Sequence, residues 1–169
     1  MLKRIVGLIA FSLTAVAQTP ASAPTPQATT ATLPPPAPAT DVTAADMLAV
    51  LKQLPKEKIT DAPIRVADVG GYRVGVFVVF RPKSNEVRER AGVHNTRVTE
   101  IYYMLEGGGT LVTGGTIVDG RIEGGVSRHV AKGDLVMIPG RLPHWWSSLD
   151  GDISYLRLTP DPDSQQRLR

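Results

Sequence analysis

Two stretches of the chain carry the strongest information about its fold: HNTRVTEIYYMLEG at residues 94–107 and GDLVMIPGRLPH at residues 133–144. Each joins a run of apolar and β-branched residues to glycine or proline, which is typical of a short strand bounded by turns. Since alternate residues of a strand face the same side, His94, Thr96 and Glu100 would share one face of a regular strand. Buried polar side chains of this kind need partners or a bound ion, because an unpaired polar group is costly to bury.

The residues around these stretches predict a series of further short strands. Eight of the sixteen glycines fall between Gly107 and Gly125, and Asp119-Gly120 is typical of a two-residue hairpin turn. Many short strands separated by glycine-rich turns favour an all-β sandwich or barrel. From Ile64 onward the predicted strands include Tyr72–Phe80, Val98–Leu105, Thr110–Val118, Arg121–Val130, Leu135–Ile138, Leu142–Ser148 and Ile153–Thr159.

A helix is predicted ahead of the strands, over residues 43–54. Thr43 can cap its first turn with Asp46 three residues later, and Pro55 follows its end. Its apolar residues recur at helical spacing, which predicts a helix that packs on a sheet. These apolar residues are Met47, Leu48, Val50, Leu51 and Leu54.

The two stretches resemble the paired motifs of the cupin superfamily. The matching residues are His94, Glu100 and Gly107 in the first motif and Gly133, Asp134, Pro139 and His144 in the second. The resemblance covers roughly residues 81–159. It implies an all-β protein with a cupin-like double-stranded β-helix, which is a jelly-roll barrel, preceded by the N-terminal helix.

The chain departs from the cupin motifs at four positions. Thr96 stands where the second histidine of the first motif is expected, and Gly92 lies too close to His94 to match the leading glycine. In the second motif, Arg141 replaces the inner glycine and Ser148 replaces the terminal asparagine. Both motifs remain in order, so the differences bear on the metal ligands that the resemblance implies rather than on the fold.

The resemblance implies a metal site made of His94, Glu100 and His144. Two imidazoles and one carboxylate suit Fe(II) with open positions for oxygen and substrate, and Mn, Zn or Ni would also accept them. Thr96 would be a weak neutral ligand, a hydrogen-bond partner of a metal-bound water, or a filled and inactive corner. A second interpretation is a polar remnant, in which the three side chains only hydrogen-bond each other.

Residues near these ligands are candidates for the lining of a substrate pocket. Trp146 would face the same side of its strand as His144, and Trp145 would face the opposite side. Core packing is the alternative, since aromatic side chains dominate core burial. The candidate lining residues are Thr96, Tyr102, Met104 and Trp146.

The remaining charged residues have simpler interpretations. His129 lies outside both motifs and is predicted to be a surface or strand-packing residue. The arginines that approach the first motif would suit an anionic substrate, or would form a solvated loop face beside Glu86 and Glu89. These arginines are Arg81, Arg88, Arg90 and Arg97.

The first forty residues predict export. Residues 1–17 have the pattern of a secretory signal peptide, in which Lys3 and Arg4 precede an apolar run. Residues 18–40 are rich in proline, alanine and threonine, which predicts a disordered linker, and residues 41–169 form the predicted cupin-like domain. We therefore expect a bacterial periplasmic or secreted protein with no stable membrane span after cleavage.

Composition excludes several classes of function. The chain has no cysteine, which excludes a disulfide scaffold, a lipid-anchored cysteine and a Cys-based zinc site. The formal net charge of +3 includes Lys3 and Arg4, so the rest of the chain carries only +1. No basic cluster at motif spacing indicates a nucleic-acid partner.

Together these patterns predict an exported cupin-domain protein that binds a divalent metal and acts on a small molecule, with a dioxygenase as the candidate enzyme. The alternative is a non-catalytic module that binds a sugar or small acid at a remnant metal site. A third class, a metal-free isomerase or epimerase, would need His94 or His144 as its base. A homodimer is also expected, because open strand edges invite pairing and the resemblance implies it.

Overall fold

The structure is a computed structural model that describes residues 38–167. The predicted signal peptide and most of the predicted linker lie outside the described residues. In chain order the elements are α1 (Ala44–Gln53), β1 (Thr60–Asp68), β2 (Arg73–Arg81), a 3-10 helix (Lys83–Arg88), β3 (Glu100–Glu106), β4 (Gly108–Thr113), β5 (Thr116–Val118), β6 (Arg121–Glu123), β7 (Val126–Ala131), β8 (Leu135–Ile138), β9 (His144–Leu149) and β10 (Ile153–Asp161).

Two antiparallel sheets enclose the core. One has five strands in the order β1-β2-β10-β3-β8, the other has three in the order β7-β4-β9, and β5 and β6 form a separate hairpin. The main core cluster joins Tyr102 and Tyr155 of the larger sheet to Leu111 and Trp146 of the smaller one. Because the inner faces of both sheets bury their apolar residues in one layer, the predicted jelly-roll barrel is confirmed.

Helix α1 packs against the five-stranded sheet and confirms the predicted N-terminal helix. The Asp46 N–H donates to the Thr43 hydroxyl at 3.1 Å, and the Thr43 N–H donates to the Asp46 carboxylate at 3.0 Å. This reciprocal capping satisfies donors that a helix start leaves unpaired. At the other end, Leu54 packs with Val78 and Phe80 of β2 in a second apolar cluster.

Strand boundaries differ from the predictions where the backbone leaves extended geometry. The predicted strand Thr110–Val118 is divided between β4 and β5, because Gly114 and Gly115 adopt φ values of 78° and 70°. Strand β1 begins at Thr60, earlier than predicted, and the 3-10 helix was not predicted. None of the helices within residues 38–167 has the length and apolar character needed to cross a membrane.

Candidate metal centre

The three predicted ligands meet at the starts of two strands from different sheets. Glu100 is the first residue of β3 in the five-stranded sheet, and His144 is the first residue of β9 in the three-stranded sheet. His94 lies on the loop that leads into β3. Closure of the barrel therefore brings together residues that are distant in sequence.

The donor atoms of the three side chains lie close enough to share one ion. One donor atom from each residue is within 4.8 Å of the others. His94 Nε2 is 3.3 Å from Glu100 Oε1, and His144 Nε2 is 3.4 Å from Glu100 Oε2. The side chains of Glu100 and His144 are 5% and 12% exposed, whereas that of His94 is 55% exposed. The site is therefore buried on the side of the carboxylate and open on the side of His94.

Backbone hydrogen bonds position the loop that carries His94. Gly92 and His144 exchange N–H···O bonds of 3.0 Å in both directions, and the Arg141 N–H donates to the His94 carbonyl at 3.2 Å. Strand alternation does not apply to His94 and Thr96, because β3 begins only at Glu100. Loop hydrogen bonds, rather than strand alternation, bring His94 to the carboxylate.

The turn between β8 and β9 contains one motif departure, Arg141, and lies close to another, Thr96. Arg141 stands at the position of the motif's inner glycine and adopts φ 66°, a left-handed conformation that favours glycine. Next to it, a Cβ on Gly140 would lie 2.6 Å from the Thr96 carbonyl oxygen. Thr96 therefore packs its backbone closely against this turn.

Two further donors hold the Glu100 carboxylate. The Tyr102 hydroxyl donates to Oε2 at 2.6 Å, and Arg157 Nη1 donates to Oε1 at 2.8 Å. Arg157 also pairs with Asp61 at 2.5 Å and lies over the Phe77 ring, 4.3 Å from its centre. The orientation of the carboxylate is therefore fixed by the chain itself.

The surroundings of the three ligands set their protonation. Burial raises the pKa of Glu100, but hydrogen bonds from His94 and Tyr102 and the charge of Arg157 outweigh it and lower the pKa to about 2. Burial lowers the pKa of His144. The hydrogen bond to Glu100 raises the pKa of His94. Near neutral pH the site thus offers an ionised carboxylate and a neutral His144 ring, the forms in which these groups bind metal.

The residues fit a divalent first-row metal ion. Ligand bonds of about 2.0–2.2 Å let two donors of one ion lie roughly 3–4 Å apart. The separations of 3.3 and 3.4 Å fall in this range. Two imidazole nitrogens and one carboxylate oxygen match the ligand preference of iron and its neighbours. The positive charge of Arg157 is offset by its pairing with Asp61.

A cavity of about 260 Å³ opens beside the ligands. Tyr102, one of the candidate lining residues, is in its wall. Among the described residues that form this wall, Thr96, Met104 and Trp146 are not present. Met104 and Trp146 belong to the core between the sheets, which was their alternative interpretation. Trp146 also borders a smaller cavity of about 190 Å³, whose wall includes His94 and His144.

Arg157 and Asp61 are the site residues that sequence reasoning missed. They lie on β10 and β1, outside both motifs, and no spacing links them to the ligands. Register places Arg157 directly opposite Tyr102 on the neighbouring strand. The sequence contains one indication of this position. Arg157 alternates along β10 with the core residues Ile153 and Tyr155, so a regular strand directs its side chain to the same face.

Arg81 corrects another expectation. The expectation of a solvated loop face is wrong for Arg81, because its side chain is only 19% exposed. Its Nη1 donates to both Glu89 carboxylate oxygens at 2.6 and 2.7 Å, and its Nε donates to the Tyr155 hydroxyl at 3.0 Å. Arg81 therefore forms part of the polar wall of the cavity of about 260 Å³.

Other charged residues lie at the surface. His129 is exposed on β7 and pairs with Asp150 at 2.7 Å, which confirms the prediction of a surface histidine. Arg97 is exposed and pairs with Asp163 at 3.1 Å. Such exposed pairs contribute little to stability.

Comparison with known proteins gives structural likenesses at low sequence identity. A cupin superfamily protein from Desulfitobacterium hafniense DCB-2 is 15% identical with a TM-score of 0.44, over 76% of this chain and 94% of that one. The DMSP lyase DddQ from Ruegeria pomeroyi DSS-3 is 17% identical with a TM-score of 0.47, over 79% of each chain. The Fe(II) form of HppE is 16% identical with a TM-score of 0.42, over 63% of this chain and 58% of that one. No family model matches the chain, and no curated protein matches it.

Strand order and motif positions together define the class of this protein. The two facing antiparallel sheets form a jelly-roll barrel. The first motif's glutamate starts β3 and the second motif's histidine starts β9, at the contact between the sheets. The chain therefore has a cupin fold.

Proposed function

We propose that this protein binds one divalent metal ion through His94, Glu100 and His144 and acts on a small molecule in the adjoining cavity. The observation that supports this most directly is the convergence of two imidazoles on one buried, ionised carboxylate. These three residues come from a loop and two strands of different sheets. A buried carboxylate facing two histidines is an arrangement that a metal ion compensates well.

The chain's own residues would divide the work at this site. Glu100 and His144 hold the ion from the buried side, while the exposed ring of His94 completes the set at the open side. Tyr102 and Arg157 keep the carboxylate oriented, so that little reorganisation accompanies binding. A divalent ion held there supplies Lewis acidity and, in the case of iron, redox chemistry with dioxygen.

The cavity limits the substrate to a small molecule. Its volume of about 260 Å³ is at or below the usual range for drug-sized ligands. The wall contains hydrogen-bonding groups on Arg81, Tyr155 and Arg157, which would orient a polar substrate beside the ligands. Oxygenation by a dioxygenase is the reaction we propose for this ligand set. We further propose that the protein is exported to the periplasm or beyond and that it is a homodimer.

Metal titration tests the proposal. The purified full chain is stripped with chelator and titrated with Zn(II), Mn(II) and Ni(II), and anaerobically with Fe(II), by calorimetry and elemental analysis. We expect about one equivalent of at least one metal and thermal stabilisation worth about 2.7 kcal/mol at a hundredfold excess over Kd. His144→Ala should lose both effects, and the matched control His129→Ala should keep them. Uptake below about a tenth of an equivalent for every metal would rule out the metal site.

A second candidate function is a small-molecule binding module that needs no metal. The observation in its favour is that Glu100 already receives the Tyr102 hydroxyl and the Arg157 guanidinium, and so is satisfied without an ion. Failure of every metal titration, in a protein whose cavity still binds a small ligand, would favour this candidate. Oxygen consumption that requires both Fe(II) and an added small molecule would favour the oxygenase instead.

A further inference from the structure

Arg81 is a cationic side chain that lies beside both histidine ligands. The cavities of about 260 and 190 Å³ each have His94 and His144 in their walls, and Arg81 lines both of them. Glu100 lines the cavity of about 260 Å³ as well. A small molecule in that cavity would therefore meet the guanidinium of Arg81 and the three candidate metal ligands in one wall.

The guanidinium of Arg81 is held by two neighbours and keeps one nitrogen available. Its Nε donates to the Tyr155 hydroxyl at 3.0 Å, and its Nη1 donates to both Glu89 carboxylate oxygens at 2.6 and 2.7 Å. The N–H groups on Nη2 make no hydrogen bond with the described residues. Fully buried side-chain atoms without a partner occur elsewhere in the described part of the chain, but Arg81 Nη2 is not one of them. Nη2 is therefore accessible, and the bonds of the other two nitrogens fix its position.

The net charge around this cavity would change sign when a divalent ion binds. Without an ion, the carboxylates of Asp61, Glu89 and Glu100 outnumber the guanidiniums of Arg81 and Arg157 by one. A divalent ion adds two positive charges, so the same groups would then have an excess of one positive charge. In a partly buried cavity such an excess attracts anions, and a single excess charge suits a monoanion better than a dianion.

The size and the apolar part of the wall limit the anion further. A volume of about 260 Å³ equals that of roughly nine water molecules in the liquid, which corresponds to about nine non-hydrogen atoms. Ile59 and Val79 contribute apolar side chains to the wall. A carboxylate only accepts hydrogen bonds, so it matches the available N–H groups of Arg81, and a short hydrocarbon remainder matches Ile59 and Val79.

We infer that the cavity of about 260 Å³ binds a small monocarboxylic acid, whose carboxylate accepts hydrogen bonds from Arg81 Nη2 beside the candidate metal centre. The inference rests on the proposed function and names its substrate class. Because the bound ion supplies the net positive charge, the acid and the metal should each raise the affinity of the protein for the other by the same factor. A neutral molecule of the same size gains nothing from that charge.

Benzoate is a suitable probe, since it carries one negative charge and has about nine non-hydrogen atoms. The full chain is loaded with Zn(II), or with whichever divalent metal it takes up, and titrated by calorimetry with benzoate, with its neutral equivalent benzamide and with inorganic phosphate. We expect saturable binding of benzoate that is at least about tenfold tighter than that of benzamide or phosphate, and at least about tenfold tighter than in the metal-free chain. Equal affinity for benzoate and benzamide, or tighter binding of phosphate, would overturn the inference.

Metal uptake is measured by elemental analysis without any acid, so the metal site and the acid site give separate results. Metal uptake without saturable benzoate binding up to about 10 mM would overturn this inference and leave the metal site intact. Failure to take up any metal would overturn the proposed function, and the inference with it, because the net positive charge would be missing.

Variants locate the carboxylate. Arg81→Lys keeps a cation for the buried Glu89 but has no counterpart of Nη2, so we expect the affinity for benzoate to fall about tenfold while metal uptake is retained. Lys132→Met removes an exposed cation that pairs with Glu106 and should leave the affinity for benzoate unchanged. Equal affinity in Arg81→Lys and wild type would place the acid elsewhere and refute the inference. Should Arg81→Lys fail to fold, the comparison of benzoate with benzamide in the wild-type chain still decides the result.

Discussion

Arg157 is the residue whose removal should disturb the site most. Its guanidinium bridges Glu100 at 2.8 Å and Asp61 at 2.5 Å, and its side chain is only 17% exposed. Arg157→Met keeps much of the apolar stem that packs at Phe77 and removes the charge. The substitution would leave two neighbouring carboxylates without their shared cation.

The magnitude follows from burial. Breaking a buried ion pair by removing one partner typically costs about 3–5 kcal/mol. Asp61 is 39% exposed, so water relieves part of its loss, while Glu100 at 5% exposure is relieved little. Tyr102 also still donates to Glu100 in the variant. We therefore expect a loss of about 2–3 kcal/mol in the free energy of unfolding at pH 7.

The pH dependence distinguishes this mechanism from a simple packing defect. Because the pKa of Glu100 is lowered from 4.5 to about 2, its contribution to stability is fully present above pH 4.5 and is lost as the pH falls toward 2. In Arg157→Met that pKa rises, so the stability difference from wild type should shrink between pH 7 and pH 3. Urea unfolding at pH 7 and at pH 3 measures the difference in the free energy of unfolding between variant and wild type.

A matched variant and two outcomes test whether Arg157 stabilises the protein through its charge. Arg157→Lys keeps the charge without the fork that bonds both carboxylates, so it should cost less than Arg157→Met. A loss below about 1 kcal/mol for Arg157→Met at pH 7 would contradict the assigned role of the bridge. A loss of equal size at pH 3 and pH 7 would show that packing, not charge, is what Arg157 contributes.

Three further substitutions test neighbouring features. Tyr102→Phe removes the 2.6 Å hydrogen bond to Glu100 and should cost about 1.5–3 kcal/mol in urea unfolding, since the acceptor is charged and buried. Arg141→Gly relieves a left-handed residue at φ 66° and should stabilise the protein by up to about 1 kcal/mol; a loss of stability would mean that the arginine side chain makes a compensating contact. His129→Ala breaks an exposed pair with Asp150 and should change stability by less than about 0.5 kcal/mol, with metal uptake unaltered in the same titration.

The candidate ligands of the metal centre could be predicted from the sequence, but the residues that hold the Glu100 carboxylate could not. His94, Glu100 and His144 stand at motif spacings, so a pattern match to the cupin motifs was enough to select them. Arg157 and Asp61 have no such spacing, and only strand pairing through β10 and β2 places them beside the carboxylate. Strand pairing over long sequence separations is not encoded in local periodicity, which is why sequence reasoning passed over both.

The positions of the aromatic residues likewise depend partly on local sequence and partly on tertiary packing. Alternation along β9 put Trp146 on the side of His144, and the structure places Trp146 in the core next to it. Alternation does not say how much of that inner side is filled by the opposite sheet. Met104 and Trp146 fill the space between the sheets, while Tyr102 also lines the cavity and its hydroxyl bonds to Glu100.

The sequence by itself determined the local features, which are the capped helix, most strand positions and the glycine turns. Each follows from interactions between residues close in the chain, such as the bond between Thr43 and Asp46 or the positive φ at Gly114 and Gly115. Tertiary structure alone decided how His94 reaches its site and which cation neutralises Glu100. Both depend on contacts between segments far apart in the chain, whose geometry exists only once the two sheets have closed on each other.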